Sequence, residues 1–343
     1  MAQSMAPDRL TSSEVSEDND LAIRALQVIP GSPEGPSYNF AKRQVASLPK
    51  VGIAVRTFFL ASRTSPTTLV KEWSRLQNEI RNFNPHLIHA HFGTMTAFLC
   101  AFGTTMPLVV TFRGSDLNPV PSISVLRSTG GRLLSQLAAF RATRIICVTG
   151  QLKARLWWGK GRTTIIPDGV NMSVFSPRSQ EEARAALGWH NADRVVLFCA
   201  GKFPKKKRLD LALQAAEAAK VLCSDLRLVV LESAAPESIP LFLNAADCLL
   251  FTSDWEGSPN IIKEAMACNL PIVSVDVGDV AERLEGVSHS KIVSRDPHQL
   301  GAALSKILML NSRSNGRTMV RDLSEEMVAE RIRSVYDSTV GGE

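Results

Sequence analysis

Short apolar runs alternate with longer amphipathic stretches from one end of the chain to the other, and this alternation restricts the fold more than any other feature. In the first half, the runs at 23–29, 53–60, 86–90, 107–112, 143–148 and 163–167 read as strands. Helical patterns fall between them, near 36–49, 67–83, 94–104, 124–141 and 150–158. Strands buried on both faces read as unbroken Val/Ile/Leu runs rather than as alternating ones, which marks a parallel sheet. Strand–helix–strand repetition then predicts a doubly wound α/β layer. The pattern stops once, in a Pro/Gly/Asn/Ser-rich stretch at 168–182 that reads as a linker, and then restarts. Strands are expected at 194–201, 226–232, 247–253, 271–276 and 290–294, helices at 208–222, 238–245, 259–268, 279–285 and 297–310, and a last amphipathic helix at 323–338. Two Rossmann-like domains facing a cleft are the predicted architecture.

The length of 343 residues suits two domains, and 45% apolar with 21% charged residues is the balance of a soluble globular chain. No apolar run reaches the ~18 residues that span a bilayer. Residues 1–20 are polar and acidic, unlike a signal peptide or an anchor, and read as a disordered leader. The six cysteines form no CxxC pair and mostly sit in apolar segments, so buried thiols in a reducing cytoplasm are expected, with neither disulfides nor a zinc site. The net charge of +6 favours anionic partners, either a phosphorylated ligand or an acidic lipid surface.

The most informative segment is DWEGSPNIIKEAMACNLPIVS, residues 254–274. Asp254 to Gly257 leave a predicted strand, Ser258 is placed to cap the next helix, and Pro259 suits its first position. Glu256 then lies in the turn and Glu264 almost two turns into the helix. Open α/β sheets bind ligands at this edge, where the free N–H groups at 259–261 favour an anion or sugar hydroxyls. A carboxylate accepts two hydroxyls at once, as a ribose diol or hexose edge offers. Taken alone, two glutamates near a helix start are as readily a pair of solvated surface charges.

The surrounding words add to this reading. Glu256, seven residues, Glu264 and the following AMAC-NLP resemble the Glu-x7-Glu signature of the retaining family 4 glycosyltransferases, which adopt the GT-B fold. IIPDGVNMSVFSP (165–177) resembles that family's "IPNGVD…F.P" interdomain segment, and AGKFPKKKRLDLALQAA (200–216) its "GRL…KG…L..A" donor-phosphate segment. NPHLIHAHFG (84–93) and PLVVTFRGSDL (107–117) resemble "D-I-HAH" and "TFHG-D". The likeness runs over residues 24–340.

The resemblance implies a domain plan: an acceptor-side domain at 21–175, a donor domain at 176–322, and a C-terminal helix at 323–343 that packs back on the first. It implies a nucleotide-diphosphate sugar as donor and a glycan or lipid-linked glycan as acceptor. Glu256 would contact the transferred sugar beside the backbone of Gly257, Ser258, Pro259, Asn260 and Ile261, and Glu264 would hold the donor ribose. Lys207 and Lys202, the latter at the family's arginine position, would meet the diphosphate, where charge develops on the leaving group. KKKR (205–208) reads equally as a solvated helix start, and without interleaved aromatics it carries no nucleic-acid signal.

Two departures stand out. Arg113 takes the place of the family's histidine; it accepts no proton at neutral pH, but a retaining transfer of this kind is thought to use the leaving phosphate as base. Arg113 is then a candidate for a phosphate or an anionic acceptor, with Asp116 orienting it or an acceptor hydroxyl; an Arg113–Asp116 pair that only braces a loop is an equal alternative. The second departure is the short connection between 232 and 247, where the family carries an additional helix and strand. Gly31 and Gly35, in the first glycine-rich turn, are candidates for a phosphate or acceptor loop. His91 is expected at the cleft and His89 in the core. No cluster has metal-ligand spacing, so no metal cofactor is expected. RLWWGKGR (155–162) suits either an anionic membrane surface or interdomain packing. A catalytically silent sugar-nucleotide binder and, further off, a nucleotide-sugar 2-epimerase are the rival functions.

Overall fold

A computed structural model describes residues 23–34, 37–61, 65–119 and 123–341. The expected leader at 1–20, and Gly35, lie outside them. Among the described residues, eleven strands form two parallel sheets. The first contains β1 (Ile23–Pro30), β2 (Ile53–Leu60), β3 (Leu87–His91), β4 (Leu108–Phe112), β5 (Arg144–Cys147) and β6 (Thr163–Ile165), in the order β2-β1-β3-β4-β5-β6. The second contains β7 (Arg194–Cys199), β8 (Leu226–Leu231), β9 (Cys248–Phe251), β10 (Ile272–Val275) and β11 (Lys291–Val293), in the order β11-β10-β9-β7-β8. Every residue of β3 and β4 is buried, so these segments are apolar apart from His89, His91 and Thr111, each of which is buried. Strand order reverses between β1 and β3 and between β7 and β9, the two switch points where such sheets take ligands.

The helices are α1 (Asn39–Ser47), α2 (Pro66–Phe83), α3 (Thr94–Gly103), α4 (Val125–Arg141), α5 (Gly150–Ala154), α6 (Gln180–Leu187), α7 (Pro204–Lys207), α8 (Leu209–Lys220), α9 (Ile239–Ala245), α10 (Asn260–Ala267), α11 (Val280–Leu284), α12 (Pro297–Leu310), α13 (Gly316–Met319) and α14 (Glu325–Val340). Their ends follow local chemistry. The Ser65 hydroxyl caps α2 with Pro66 in its first turn, and Asn84 closes it in the left-handed region. Asp296 caps α12 in the same manner. The stretch read as linker is shorter than expected, because Ser179 caps α6 by accepting from Glu182 N–H. The Ser-x-x-Glu spacing of Ser179 and Glu182 is the sequence signal for that start. The helix expected at 150–158 ends at Ala154, and the chain then turns through Gly159 at φ 77°.

Helices α2, α3 and α4 and Leu152 of α5 cover one face of the first sheet. Its other face is covered by α14, whose Val328, Ile332, Val335 and Tyr336 pack on Ala25, Leu87, Val109 and Ile146. The chain therefore crosses between the sheets twice, and the crossings touch: Val170 N–H donates to Leu323 O and Glu325 N–H to Val170 O. Between β8 and β9 the chain forms only a short 3-10 turn (Pro236–Ser238) and α9.

Candidate active site

The loops that leave the carboxyl ends of both sheets face each other across a cleft of about 660 Å³. Phe92, Arg113 to Ser115 and Asn118, which follow β3 and β4, form one wall with Tyr38 and Phe40. The other wall is built from Cys199 to Gly201 after β7, Leu231 and Glu232 after β8, and Trp255 to Ile261 after β9, with Lys206 and Lys207 above it. Tyr38 and Phe92 hold positive φ angles of 59° and 143°, a backbone cost that clusters at binding sites.

On the second wall, Glu256 is clamped by two lysines of α7. Lys207 Nζ lies 2.6 Å from Oε1 and Lys206 Nζ 3.0 Å from Oε2. Burial acts to raise the Glu256 carboxyl, but Lys207 and Lys206 outweigh it and hold it below the usual carboxylate range. Burial in turn lowers Lys206, against the pull of Glu256. Lys206 also lies 3.9 Å from the centre of the Trp255 ring. Helix α10 begins at Asn260, one residue later than expected, and Ser258 does not cap it. Its hydroxyl donates to Asp279 Oδ2 at 2.8 Å instead. Pro259 has no amide hydrogen, so the donors free at this helix start are the N–H groups of Asn260 and Ile261. The buried Asn260 Oδ1 has no partner among the described residues.

On the first wall, Arg113 and Asp116 do not pair through their side chains. Asp116 accepts the backbone N–H groups of Gly93, Arg113 and Gly114 at 2.8–3.1 Å, which fixes the loop after β4. Arg113 Nη1 forms an ion pair with Asp168 Oδ1 at the start of the interdomain segment. Its Nη2 donates to Gln44 Oε1 at 2.7 Å, and the guanidinium carbon lies 4.6 Å from the centre of the Phe40 ring. Burial pulls Arg113 down to about 9, with Asp116 acting the other way, so it stays protonated at neutral pH. His91, expected at the cleft, is fully buried behind Arg113, with Nε2 at 2.7 Å from Gln27 Oε1. His89 is a core residue held by Tyr336 Oη at 2.6 Å and Thr111 Oγ1 at 2.7 Å.

Where the walls converge, a seam of buried charge joins them. Lys263, 1% exposed on α10, donates to Asp168 O at 2.7 Å and to Ser258 Oγ at 3.2 Å. Arg43 of α1 reaches across to Glu264 Oε1 at 3.3 Å. Burial raises the Glu264 carboxyl, against the pull of Arg43. Gly257 lies so close to the carbonyl of Arg113 that a β-carbon there would overlap it, so only glycine fits.

Of the residues singled out in the sequence, the structure brings Glu256 to Ile261, Lys207 and Arg113 to the cleft. Glu264 lies one turn deeper on α10, and Asp116 behind the loop. Lys202 is exposed and lines an adjoining recess with Phe203, Pro204, Lys205, Asp254 and Trp255, while Lys206 occupies the cleft position beside Lys207. The reason is the turn of α7, which rotates residues 206 and 207 inward and leaves 202 before its start. Gly31, at φ 106°, donates to Leu60 O, and a β-carbon there would meet nothing, so no close approach explains it. Asp168, Lys263 and Arg43 escaped sequence reading. The one available signal was the Asp168 carboxylate itself, which stands where the resembled word has an amide.

All six cysteines are free, and Cys199 borders the cleft. Among the described residues, no group of three or more His, Cys, Asp or Glu side chains is placed to hold a metal ion, and no helix is long and apolar enough to cross a membrane.

Comparison with known proteins gives consistent matches. The family model "Glycosyltransferase Family 4" matches residues 27–174, and "Glycosyl transferases group 1" matches residues 189–309. A putative teichuronic acid biosynthesis glycosyltransferase of Bacillus subtilis is 25% identical over 246 residues, covering 66% of this chain and 62% of its own. The D-inositol 3-phosphate glycosyltransferase of Mycobacterium marinum is 27% identical over 220 residues, 52% of this chain and 47% of that one. The chain thus spans less than two-thirds of either curated relative. Among solved structures, sucrose-phosphate synthase from Thermosynechococcus elongatus superposes with a TM-score of 0.76 at 18% identity, over 94% of this chain and 100% of that one. Anabaena HepE in complex with UDP gives 0.69 at 16% identity, over 92% and 100%. These two share the fold.

The seam makes a pH-dependent prediction. Burial pushes Lys263 down to about 7 from its usual 10.5, with Asp279 pulling upward. Below about pH 7 folded and unfolded chains both carry this proton, and the folded chain bears the full cost of burying it. Between about 7 and 10.5 the folded chain sheds the proton first, so stability rises with pH by up to about 1.4 kcal/mol per unit. Urea unfolding of wild type and Lys263→Met at about pH 7 and about pH 9 is expected to show wild type gaining on the variant at the higher pH. An unchanged difference contradicts the buried-charge account.

Proposed function

Because the chain belongs to the family 4 glycosyltransferases, we propose that it transfers a sugar from a nucleotide-diphosphate donor, with retention, to a glycan or lipid-linked glycan. The observation that carries this reading is the Glu256 clamp: one carboxylate and two ammonium groups at the start of α10, beside free backbone donors. A diphosphate arriving there draws Lys206 and Lys207 to itself and releases Glu256 to accept hydroxyls of the transferred sugar. The lysines and the N–H groups of Asn260 and Ile261 then meet the charge that grows on the leaving group. Positive side chains do this work in a reaction we take to be metal-independent. Glu264 exchanges Arg43 for the donor ribose, and Leu231, Glu232 and Ile239 face the base.

Neither Arg113, a protonated guanidinium, nor Asp116, saturated by backbone amides, is a proton acceptor here. The leaving phosphate is therefore the base in this reading. Close packing of Arg113 on Gly257 keeps water from the reacting carbon. The complexes of HepE with UDP and with UDP-glucose support a uridine nucleotide as a candidate donor. The names of the bacterial relatives favour polysaccharide or glycolipid assembly.

Titration of UDP, GDP and ADP into wild type and Glu264→Ala tests the donor site. One nucleotide is expected to bind, and loss of the carboxylate to weaken it by tenfold or more, about 1.4 kcal/mol. Binding of none would leave a catalytically silent partner protein as the better reading; donor turnover without any acceptor would point to an epimerase.

Peripheral contact with an anionic membrane belongs to the same proposal. Between residues 80 and 167 stand Arg81, Arg127, Arg132, Arg141, Arg144, Lys153, Arg155, Lys160 and Arg162, besides the buried Arg113 of the cleft, against the buried Asp116 as the sole acid. Val125 (82% exposed), Leu126 (86%), Phe140 (60%) and Trp157 (62%) lie in the same stretch. Sedimentation with anionic but not neutral liposomes at low salt is expected, and loss of binding in Leu126→Ser/Trp157→Ser. Failure to co-sediment with anionic liposomes at low salt contradicts membrane contact.

A further inference from the structure

We propose that Asp168 is a specificity-determining residue: with Arg113 it forms a neutral unit that accepts a hydroxyl of an uncharged sugar in the cleft and turns a phosphate or carboxylate away. The proposal rests on the glycosyltransferase reading for the identity of the substrate, and on geometry for the unit itself.

Three observations converge on Asp168. It lines the cleft next to Arg113 and is 8% exposed. Its Oδ1 is paired with Arg113 Nη1, and no other carboxylate is paired with that guanidinium among the described residues. Its own carbonyl is fixed by Lys263 Nζ at 2.7 Å, so the carboxylate is held from the second domain while it neutralises a cation of the first.

The other groups that touch the Arg113 guanidinium are uncharged. Phe40 lies under the guanidinium, and Gln44 and His91 meet Nη2. His91 is neutral, because burial lowers it well below its usual range. Asp116 spends its oxygens on backbone amides. Asp116 therefore acts on Arg113 only through space, and Asp168 is the carboxylate in direct contact that decides how much positive charge the guanidinium presents to a ligand. A bare buried guanidinium is an anion site, matched to phosphate and carboxylate. Capped by a carboxylate, it offers no net charge, and the second carboxylate oxygen remains a hydroxyl acceptor. The expectation that Arg113 binds a phosphate or an anionic acceptor thus gives way to recognition of a neutral hydroxyl. Arg113 of TFRG, where the resembled word is TFHG, and Asp168 of IPDG, where it is IPNG, meet in this pair.

The test is calorimetric titration of inorganic phosphate into the full chain as wild type, Asp168→Asn and Arg113→His/Asp168→Asn. It is run with and without a saturating amount of whichever nucleotide binds, so that Lys206 and Lys207 are occupied in one arm. Asp168→Asn is expected to bind phosphate at least about tenfold more tightly than wild type in both arms, and the double variant to lose that gain. A folded Asp168→Asn with wild-type phosphate affinity overturns the proposal, as does a gain that survives in the double variant. Should Asp168→Asn fail to fold, Asp168→Ser removes the same charge and is read by the same criterion. If no nucleotide binds any variant, the transferase reading fails, while the phosphate arm still decides whether Asp168 sets the charge of the site.

Discussion

The structure depends on a set of buried charges that must be satisfied from both domains at once. Arg113 comes from the loop after β4, Asp168 from the crossing segment and Lys263 from α10; the Asp168 carboxylate pairs with Arg113 while its carbonyl accepts from Lys263 of the second domain. Leaving one member of such a set unpaired in the interior costs about 3–5 kcal/mol, a large part of a typical domain's stability. The cost of pulling the domains apart at this seam therefore falls on charges, while the apolar cores stay intact. Gly257 lets the two backbones approach closely enough for the set to close. The cleft is thus built by both halves together, and the double crossing at Val170 and Glu325 keeps them in register.

The charged side chains that the proposed donor site uses in the cleft are already paired in this state. Glu256 holds Lys206 and Lys207, and Glu264 holds Arg43. Binding is then an exchange of partners in which the protein's own ion pairs stand in for those made with a diphosphate and a ribose. Such a site spends no energy on bare buried charge while empty. It also favours a ligand that carries both an anion for the lysines and hydroxyls for the glutamates.

The sequence was most legible where one physical rule decides the outcome. Apolar runs located the eleven strands of the described residues, most clearly β3, β4, β9 and β10, where burial on both faces leaves no other pattern. The strand–turn–helix junction at 254–268 is legible because Pro259 is fixed in φ and lacks a donor, which suits a helix start, and glycine marks a turn or a close backbone approach such as that of Gly257 to Arg113. Side-chain partners were not legible, since they depend on how elements turn against each other. Whether Lys202 or Lys206 faces the cleft is decided by the one-turn helix α7. Arg113 was matched to its near neighbour Asp116, but the nearer carboxylate in space comes from residue 168 on another segment. Glu264 meets a residue more than two hundred positions away. His91 ranked as a cleft residue from its place near a strand end, yet the Arg113 side chain covers it. The start of helix α6 is legible in the Ser179–Glu182 spacing, which the linker reading of 168–182 overlaps.

The measurement that bears most directly on this account is a crystal structure of the full chain with the nucleoside diphosphate that titrates. The account predicts the diphosphate between Lys206, Lys207 and the first N–H groups of α10, with Glu256 released from both lysines and Glu264 turned from Arg43 to the ribose. A nucleotide seated in the recess beside Lys202, with Glu256 still clamped, would contradict it.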